Sequence, residues 1–364
     1  MTRRIAIVGA GMAGASLAAL LAGEDRVVLL EAEAHPGYHA TGRSAAFWSE
    51  TYGGPGVQPL TSASGPFLHA PPPEFGGASF LSARGELRIA PAGDPAPLDA
   101  FAAEFAGSGI AMVREDAARR VPGLCGGWQG LWMPSCADID VARLHAAYLA
   151  RARRLGAELR CDAALVEATR ADWMWRLRLS DGAILTADVL VDAAGAWADR
   201  VARIAGARPV GIQPYRRTMV QVRVDPPAPA DLPVVMDAAG GFYFKPEPGG
   251  RVWLTPHDET PVDPGDVAAE ELDVAVAIDR MQRVVDWRIE AVERRWAGLR
   301  SFAPDRLPVY GWDPKVEGLF WCAGQGGFGI QTAPAGAALC AALLGRGAMP
   351  EGVDPDLYRP DRFG

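Results

Sequence analysis

Gly9, Gly11 and Gly14 follow an apolar run at residues 5–8, and Glu31 closes a second apolar run at 27–30. A strand that turns sharply into a helix, with its backbone N–H groups brought close to a diphosphate, needs residues without side chains at those points. In this spacing Gly9 makes the turn, Gly11 admits the pyrophosphate and Gly14 lets the helix at 15–21 pack on the sheet. Glu31, about twenty residues further on, is placed to accept hydrogen bonds from a ribose hydroxyl. Strand, glycines, helix, strand and acid in that order predict a bound dinucleotide cofactor.

A second glycine-rich stretch lies near the other end of the chain, where an apolar run at 319–323 meets Gly324-Gln325-Gly326-Gly327-Phe328-Gly329. A helix of small residues follows at 332–344, so its N–H groups and positive dipole end face whatever lies before it. Such an end would stabilise the negative charge of a reduced flavin.

Between the two, the patterning changes repeatedly. Residues 35–52 are rich in Gly, Ser and Ala with little period. Residues 138–155 read as a helix, capped by Asp138 or Asp140. Strands are expected at 159–166, 173–179 and 184–191, with Ser180-Asp181-Gly182 as a hairpin turn between the last two. Residues 189–192 run into the small-residue turn Ala193-Ala194-Gly195-Ala196-Trp197. Residues 213–224 and 242–254 are strand-like, and 270–285 reads as a helix. The expected fold is therefore mixed α/β, a Rossmann-like domain interrupted by a second domain with a mainly antiparallel sheet. We expect residues 1–46, 138–210 and 296–364 in the first, and 47–137 and 211–295 in the second.

A chain of 364 residues suits about two domains. Its net charge of −8 and scattered basic residues argue against nucleic acid as a partner. Arg3 and Arg4 before an apolar stretch imitate a secretory signal, but three glycines and the Glu24-Asp25-Arg26 turn argue against one. No run reaches the ~18 apolar residues of a transmembrane helix. Five cysteines without a C-x-x-C pair point to a reducing cytoplasm. The histidines show no metal-ligand spacing, so no metal is expected.

The chain resembles the FAD-dependent D-amino-acid oxidase superfamily, and within it most nearly the bacterial D-arginine dehydrogenases. The residues that carry the likeness begin with Ile7-Val8-Gly9-Ala10-Gly11-Met12-Ala13-Gly14, Pro36 to Ala46, and Ala137-Asp138-Ile139-Asp140. Val191 to Trp197, Gln213 to Arg217, Trp296 to Phe302 and Gln325 to Thr332 continue it in order along most of the chain. The resemblance implies non-covalent FAD and hydride transfer from an α carbon to flavin N5. An imino acid would result and hydrolyse to a 2-oxo acid and ammonia. The substrate would be a small molecule with a carboxylate; a quinone, another carrier or O2 would take the electrons. A 2-hydroxy acid, an N-methyl amino acid such as sarcosine, or a non-catalytic electron-transfer role are the competing readings.

Carried over residue by residue, the cofactor site comprises Gly9, Ala10, Gly11, Met12, Ala13, Gly14, Glu31 and Ala32. Arg43, Ser44, Ala45, Ala46, Val166, Ala194, Gly195 and Trp197 follow, and Arg300, Gly326, Gly327, Gly329, Ile330 and Gln331 complete it. Cys322 lies within the strand before the glycine loop, away from covalent attachment. For the substrate, Arg217 and Arg300 match carboxylate-binding arginines, whose planar fork suits two oxygens; taken singly, either reads as a surface ion pair. Arg216 should face the other way on a regular strand. Tyr243 matches a tyrosine that hydrogen-bonds the carboxylate. Tyr52 matches an active-site tyrosine, and the Gly53-Gly54-Pro55-Gly56 beside it is either a lid hinge or a turn. Glu86 falls where an acid meets a distal substrate cation, and Gly327 could offer its carbonyl to the substrate amine. Phe47 stands where a histidine is expected and Gly240 where an acid is, which moves the preference towards hydrophobic or aromatic D-amino acids.

Overall fold

A computed structural model describes residues 2–364. Its six-stranded sheet has the order Val309–Trp312, Leu319–Ala323, Val189–Asp192, Arg4–Val8, Arg26–Leu30, Glu158–Arg160. All neighbours are parallel except the outer strand Val309–Trp312. Parallel strands covered on both faces read as continuous apolar runs, and Ile7 sits between Val191 and Leu29 in register. The helix Met12–Leu21 packs with Val141–Arg154 and Ala333–Leu343 on one face. The helix Ala198–Ile204 and a small sheet of Leu165–Ala171, Met174–Leu179 and Ile184–Ala187 share the core of the other. Three strand ends therefore open at one edge, followed by residues 9–11, 193–195 and 324–329.

A ten-stranded sheet forms the second layer system. Gln213–Asp225 and Arg288–Phe302 pair antiparallel along their lengths, followed by Arg251–Thr255, Tyr243–Glu247, Val234–Asp237, Glu86–Pro91, Trp128–Met133 and Val113–Asp116. Only Val234–Asp237 and Glu86–Pro91 run parallel. The helix Glu271–Gln282 covers one face through Val274, Ala277 and Met281 against Val220, Val222 and Leu254. Gln325–Gly326 pairs with Phe302 and Ser301, tying the second glycine loop to this sheet. The expected boundary at residue 296 falls inside the strand Arg288–Phe302.

Several local expectations need correction. Asp138 lies in the strand Ala137–Ile139 and pairs with Arg84 and Lys245; Asp140 alone caps the helix, accepting from Arg143 N. Residues 159–166 divide between two sheets. Residues 184–191 also divide, at Asp188, whose carboxylate takes the Arg4 N–H at 2.6 Å. Asp172 and Trp173 form a left-handed two-residue turn, so the strand begins at Met174. Residues 242–254 fold back at Gly249 and Gly250 into two paired strands.

Candidate active site

A long cleft joins the three strand ends to the ten-stranded sheet. Gly9, Gly11, Met12, Ala13 and Glu31 line one end, and Arg217, Met219, Tyr243, Arg300 and Gly327 the other. Arg43, Ser44, Ala45, Ala46, Ala194, Gly195 and Trp197 line the length between them, with Gly326, Gly329, Ile330 and Gln331. A second cavity shares Gly9, Glu31, His39, Ala194 and Trp197 with the cleft and continues past Ala32, Ala163, Ala164 and Leu165.

The glycines have distinct geometric roles. Gly9 has φ +103, and a Cβ there would stand 2.4 Å from the Ala193 carbonyl oxygen. A Cβ on Gly14 would stand 1.9 Å from the Gly9 oxygen, so this glycine sets how closely the helix meets the strand. Ala10 departs from expectation: its N–H donates to Glu31 Oε2 at 3.0 Å, its carbonyl accepts from His145 Nε2 at 2.9 Å, and it does not line the cleft. Glu31 also accepts from Glu33 N at 3.1 Å. Two side chains thus shape the loop, and Thr41 Oγ1 takes the Met12 N–H at 2.9 Å. The N–H groups of Ala13 and Gly14, in the first helical turn, have no intrahelical acceptor. An extended cleft beginning at unpaired helix N–H groups fits a dinucleotide diphosphate. Val166 lines neither cavity; the wall there is Ala163, Ala164 and Leu165. None of the five cysteines lines either cavity, Cys322 included.

At the far end, strand register does the positioning. Arg217 lies opposite Gly298, and Arg300 opposite Tyr215, so both arginines stand diagonally on one face of the pair. Gly298, opposite Arg217, lines the cleft there without a side chain. Arg216 takes the other face, as its strand position requires, and pairs with Glu270 and Asp273. Arg217 is 6% exposed. Its Nε donates to the Asp258 carbonyl at 2.8 Å and Nη2 to Glu259 at 3.2 Å, while Nη1 is buried without a partner. Burial, then the neighbouring charge of Arg300, lowers this guanidinium to about 10.

Arg300 donates from Nη2 to the Tyr52 hydroxyl at 2.5 Å and from Nη1 to Glu259 at 3.3 Å. Its guanidinium also lies near the rings of Tyr52, Phe302 and Phe328. A Cβ on Gly327 would fall 1.7 Å from Arg300 Nη2, so any side chain there would have to push the guanidinium out of this position. Tyr243 is buried against Phe47 and Met219, and burial raises its phenol, keeping it a donor. Tyr52 packs between Phe47 and Phe328, with ring centroids 5.1 and 5.6 Å away. The residues after it form a packed turn: Gly53 has φ +117 and a Cβ there would meet Val57 and Phe328. Gln331 holds that turn with its side chain, donating to the Tyr52 carbonyl and Thr61 and accepting from Ser49 N.

Glu86 departs from expectation. It is fully buried, lies outside the cleft lining, sits 3.0 Å from Arg88 and accepts from Ser49 Oγ at 2.6 Å. A carboxylate already paired has little charge left for a distal substrate cation. Glu86 and Arg88 are two apart on one strand, so their pairing was readable from the period of two.

Sequence reasoning missed Thr41, His145, His257 and Glu259. His257 has φ +57, donates from Nδ1 to the Gly240 carbonyl at 2.7 Å and leaves Nε2 buried without a partner. Its ring lies 5.9 Å from that of Tyr243 and 6.5 Å from that of Tyr52. Burial, then Arg217 and Arg300, drives this imidazole down to about 2, so it is neutral at pH 7. No group of three or more metal-ligating side chains occurs among the described residues. No helix among them is long and apolar enough to cross a membrane.

Residues 4–343 match the family model described as FAD dependent oxidoreductase. Glycine oxidase of Pseudomonas aeruginosa is 28% identical over 262 residues, covering 68% of this chain and 66% of that protein. Hydrogen cyanide synthase subunit HcnC of the same organism is 26% identical over 223 residues, covering 60% and 52%. The match thus spans about half to two-thirds of these curated relatives. Among solved structures, glycine oxidase from Geobacillus kaustophilus superimposes with a TM-score of 0.81 at 25% identity, covering 96% of both chains. L-proline dehydrogenase from P. horikoshii shares the fold at 20% identity, with a TM-score of 0.85 over 100% of this chain and 98% of that one. With the glycine loops, the continuous cleft and the family match in agreement, the chain belongs to the FAD-dependent oxidoreductase family and takes FAD as its cofactor.

Proposed function

We propose that this protein oxidises neutral D-amino acids to imino acids, which water converts to 2-oxo acids and ammonia. FAD, when bound, accepts the hydride from the substrate α carbon. The observation that carries the reading is the buried, unpartnered Nη1 of Arg217, on the same sheet face as Arg300 at the end of the cleft. A buried charged donor without an acceptor is costly unless a ligand supplies one, and a carboxylate is the acceptor that matches a guanidinium. Tyr243 is a further donor beside it. The Gly327 carbonyl is our candidate acceptor for the substrate amine. Phe47, Met219 and Tyr243 make the adjoining wall apolar, and Glu86 is neutralised by Arg88, so we assign the side-chain pocket to uncharged groups.

Arg217 and Arg300 bind and orient the substrate, which places its α C–H bond. No side-chain base is needed when the substrate amine is neutral. His257, neutral at pH 7, adds no charge there. The relatives named for glycine oxidation support an amino-acid donor; the D configuration rests on the resemblance carried by residues 36–46 and 325–332. The test is turnover of the FAD-loaded enzyme with an artificial acceptor, assaying 2-oxo acid and ammonia from D- and L-amino acids. Products from neutral D-isomers alone support the reading, and products from L-isomers alone overturn its stereochemistry. Turnover of 2-hydroxy acids in place of amino acids overturns the donor assignment.

A further inference from the structure

The carboxylate clamp already contains a carboxylate. Glu259 Oε1 accepts from Arg217 Nη2 at 3.2 Å, Arg300 Nη1 at 3.3 Å and Arg306 Nη2 at 2.8 Å, and Oε2 accepts from Arg306 at 3.0 Å. Three arginines thus converge on one acid whose side chain is 32% exposed, and two of them, Arg217 and Arg300, line the cleft.

Its backbone is fastened on both sides. Asp258 accepts from Thr218 N at 2.8 Å and Thr218 Oγ1 at 3.1 Å. Thr260 and Pro261 pair with Arg216 and Tyr215, and Val262 N donates to the Pro214 carbonyl. Glu259 is therefore a fixed charge just outside the cleft lining, bonded to two arginines that do line it and anchored to the very strand that carries Arg217.

The charges nearby can be matched group by group. Asp258 lies 3.9 Å from both Arg216 and Arg217, and Arg216 is further paired with Glu270 and Asp273 on the far face. On the cleft side, the guanidiniums of Arg217, Arg300 and Arg306 face the carboxylates of Asp258 and Glu259. These three guanidiniums and two carboxylates carry one positive charge in excess, offset on the far face by Arg216 with the two carboxylates of Glu270 and Asp273, so the cluster has no charge to spare for a second substrate carboxylate. The buried donor nitrogen with no acceptor at all is Arg217 Nη1, whereas Nη2 of Arg217 and Nη1 of Arg300 each already give one bond to Glu259.

We propose that Glu259 is a specificity-determining residue whose fixed carboxylate restricts the clamp to substrates with one carboxylate and repels those with a second acidic group. Acidic D-amino acids and dicarboxylate amines are the excluded class. A second carboxylate near the clamp meets Glu259 in a partly desolvated site, where like charges interact more strongly than in water. This inference rests on the carboxylate-clamp reading above.

The experiment is calorimetric titration of FAD-loaded wild type and Glu259→Gln with propionate and with malonate, together with kcat/KM for D-alanine and D-aspartate. In wild type, propionate binds and malonate binds more weakly. In Glu259→Gln the malonate-to-propionate affinity ratio rises about tenfold or more, and the D-aspartate-to-D-alanine ratio rises with it. Equal losses for both ligands would show that Glu259 only orients the arginines, and overturn the proposal. Equal gains would show that it merely competes with any carboxylate, and also overturn it. Arg306→Gln removes a cation and leaves Glu259, so its malonate-to-propionate ratio should fall below that of wild type; a rise contradicts the proposal even if Glu259→Gln does not fold. Wild type that binds neither ligand would overturn the clamp itself, whereas propionate binding with an unchanged ratio in both variants overturns the Glu259 assignment alone.

Discussion

Replacing Arg217 by Met separates binding from folding. The guanidinium has three nitrogens with distinct uses: Nε on the Asp258 carbonyl, Nη2 on Glu259, and Nη1 unpartnered. Losing one side of a buried charge-assisted pair typically costs about 2–5 kcal/mol in binding. We therefore expect substrate affinity to fall by about 10²- to 10³-fold, the equivalent of about 3–4 kcal/mol. Folding should change far less. Glu259 keeps Arg300 and Arg306, and exchanging a buried ion for an apolar group of similar volume is often nearly neutral. FAD content and thermal midpoint should stay close to wild type, because Arg217 lies at the end of the cleft away from Gly9 and Glu31. Arg217→Lys should recover part of the loss, keeping the charge but not the fork.

The assay is anaerobic stopped-flow flavin reduction, which resolves the substrate Kd from the limiting rate. A pH series adds a sign. The guanidinium is charged below about 10, so wild-type affinity for a carboxylate should be flat from pH 7 to 9 and weaken as pH rises through about 10. Arg217→Met should lack that inflection. An unchanged Kd in Arg217→Met with FAD retained would refute the clamp.

Three further perturbations test the surroundings. Gly327→Ala should displace Arg300, because the new Cβ meets a guanidinium held by Tyr52 and Glu259; we expect Kd to rise about 10- to 100-fold, and wild-type kinetics would contradict the packing argument. Glu86→Gln leaves the buried Arg88 without its counter-ion and should lower unfolding stability by about 3–5 kcal/mol, read from urea midpoints. The ratio of kcat/KM for D-arginine to that for D-methionine should not change selectively, and a selective loss on D-arginine would restore Glu86 to the substrate site. His257 is held neutral in the fold, so the unfolded chain binds the extra proton as pH falls below about 6.5. Its contribution to stability is lost in that direction, and His257→Asn should show a shallower acid destabilisation between pH 6.5 and 4; an identical slope would sink this.

The parts legible in the sequence are those set by local geometry. Gly9 and Gly14 announce a tight strand-to-helix turn because no other residue satisfies their contacts, and continuous runs such as 319–323 mark strands covered on both faces. The alternation at 213–217 placed Arg217 and Arg216 on opposite faces. What escaped depends on partners distant in the chain. A period of two does not say that one extended segment changes sheets at Asp188, since alternation is the same on either side. Glu259 looks like an ordinary loop acid until the pairing of Thr260 with Arg216 brings it to Arg217, Arg300 and Arg306. The family resemblance carries Ala10 into the cofactor set with the rest of the first glycine motif, yet Glu31 and His145, 21 and 135 residues away, take both its polar groups.

The central claim is best tested by the visible spectrum of the FAD-loaded protein, followed anaerobically as amino acids are added. We predict that neutral D-amino acids bleach the flavin band near roughly 450 nm and that their L-isomers do not. A bound flavin left oxidised by every amino acid, with or without bleaching by 2-hydroxy acids, would contradict the account.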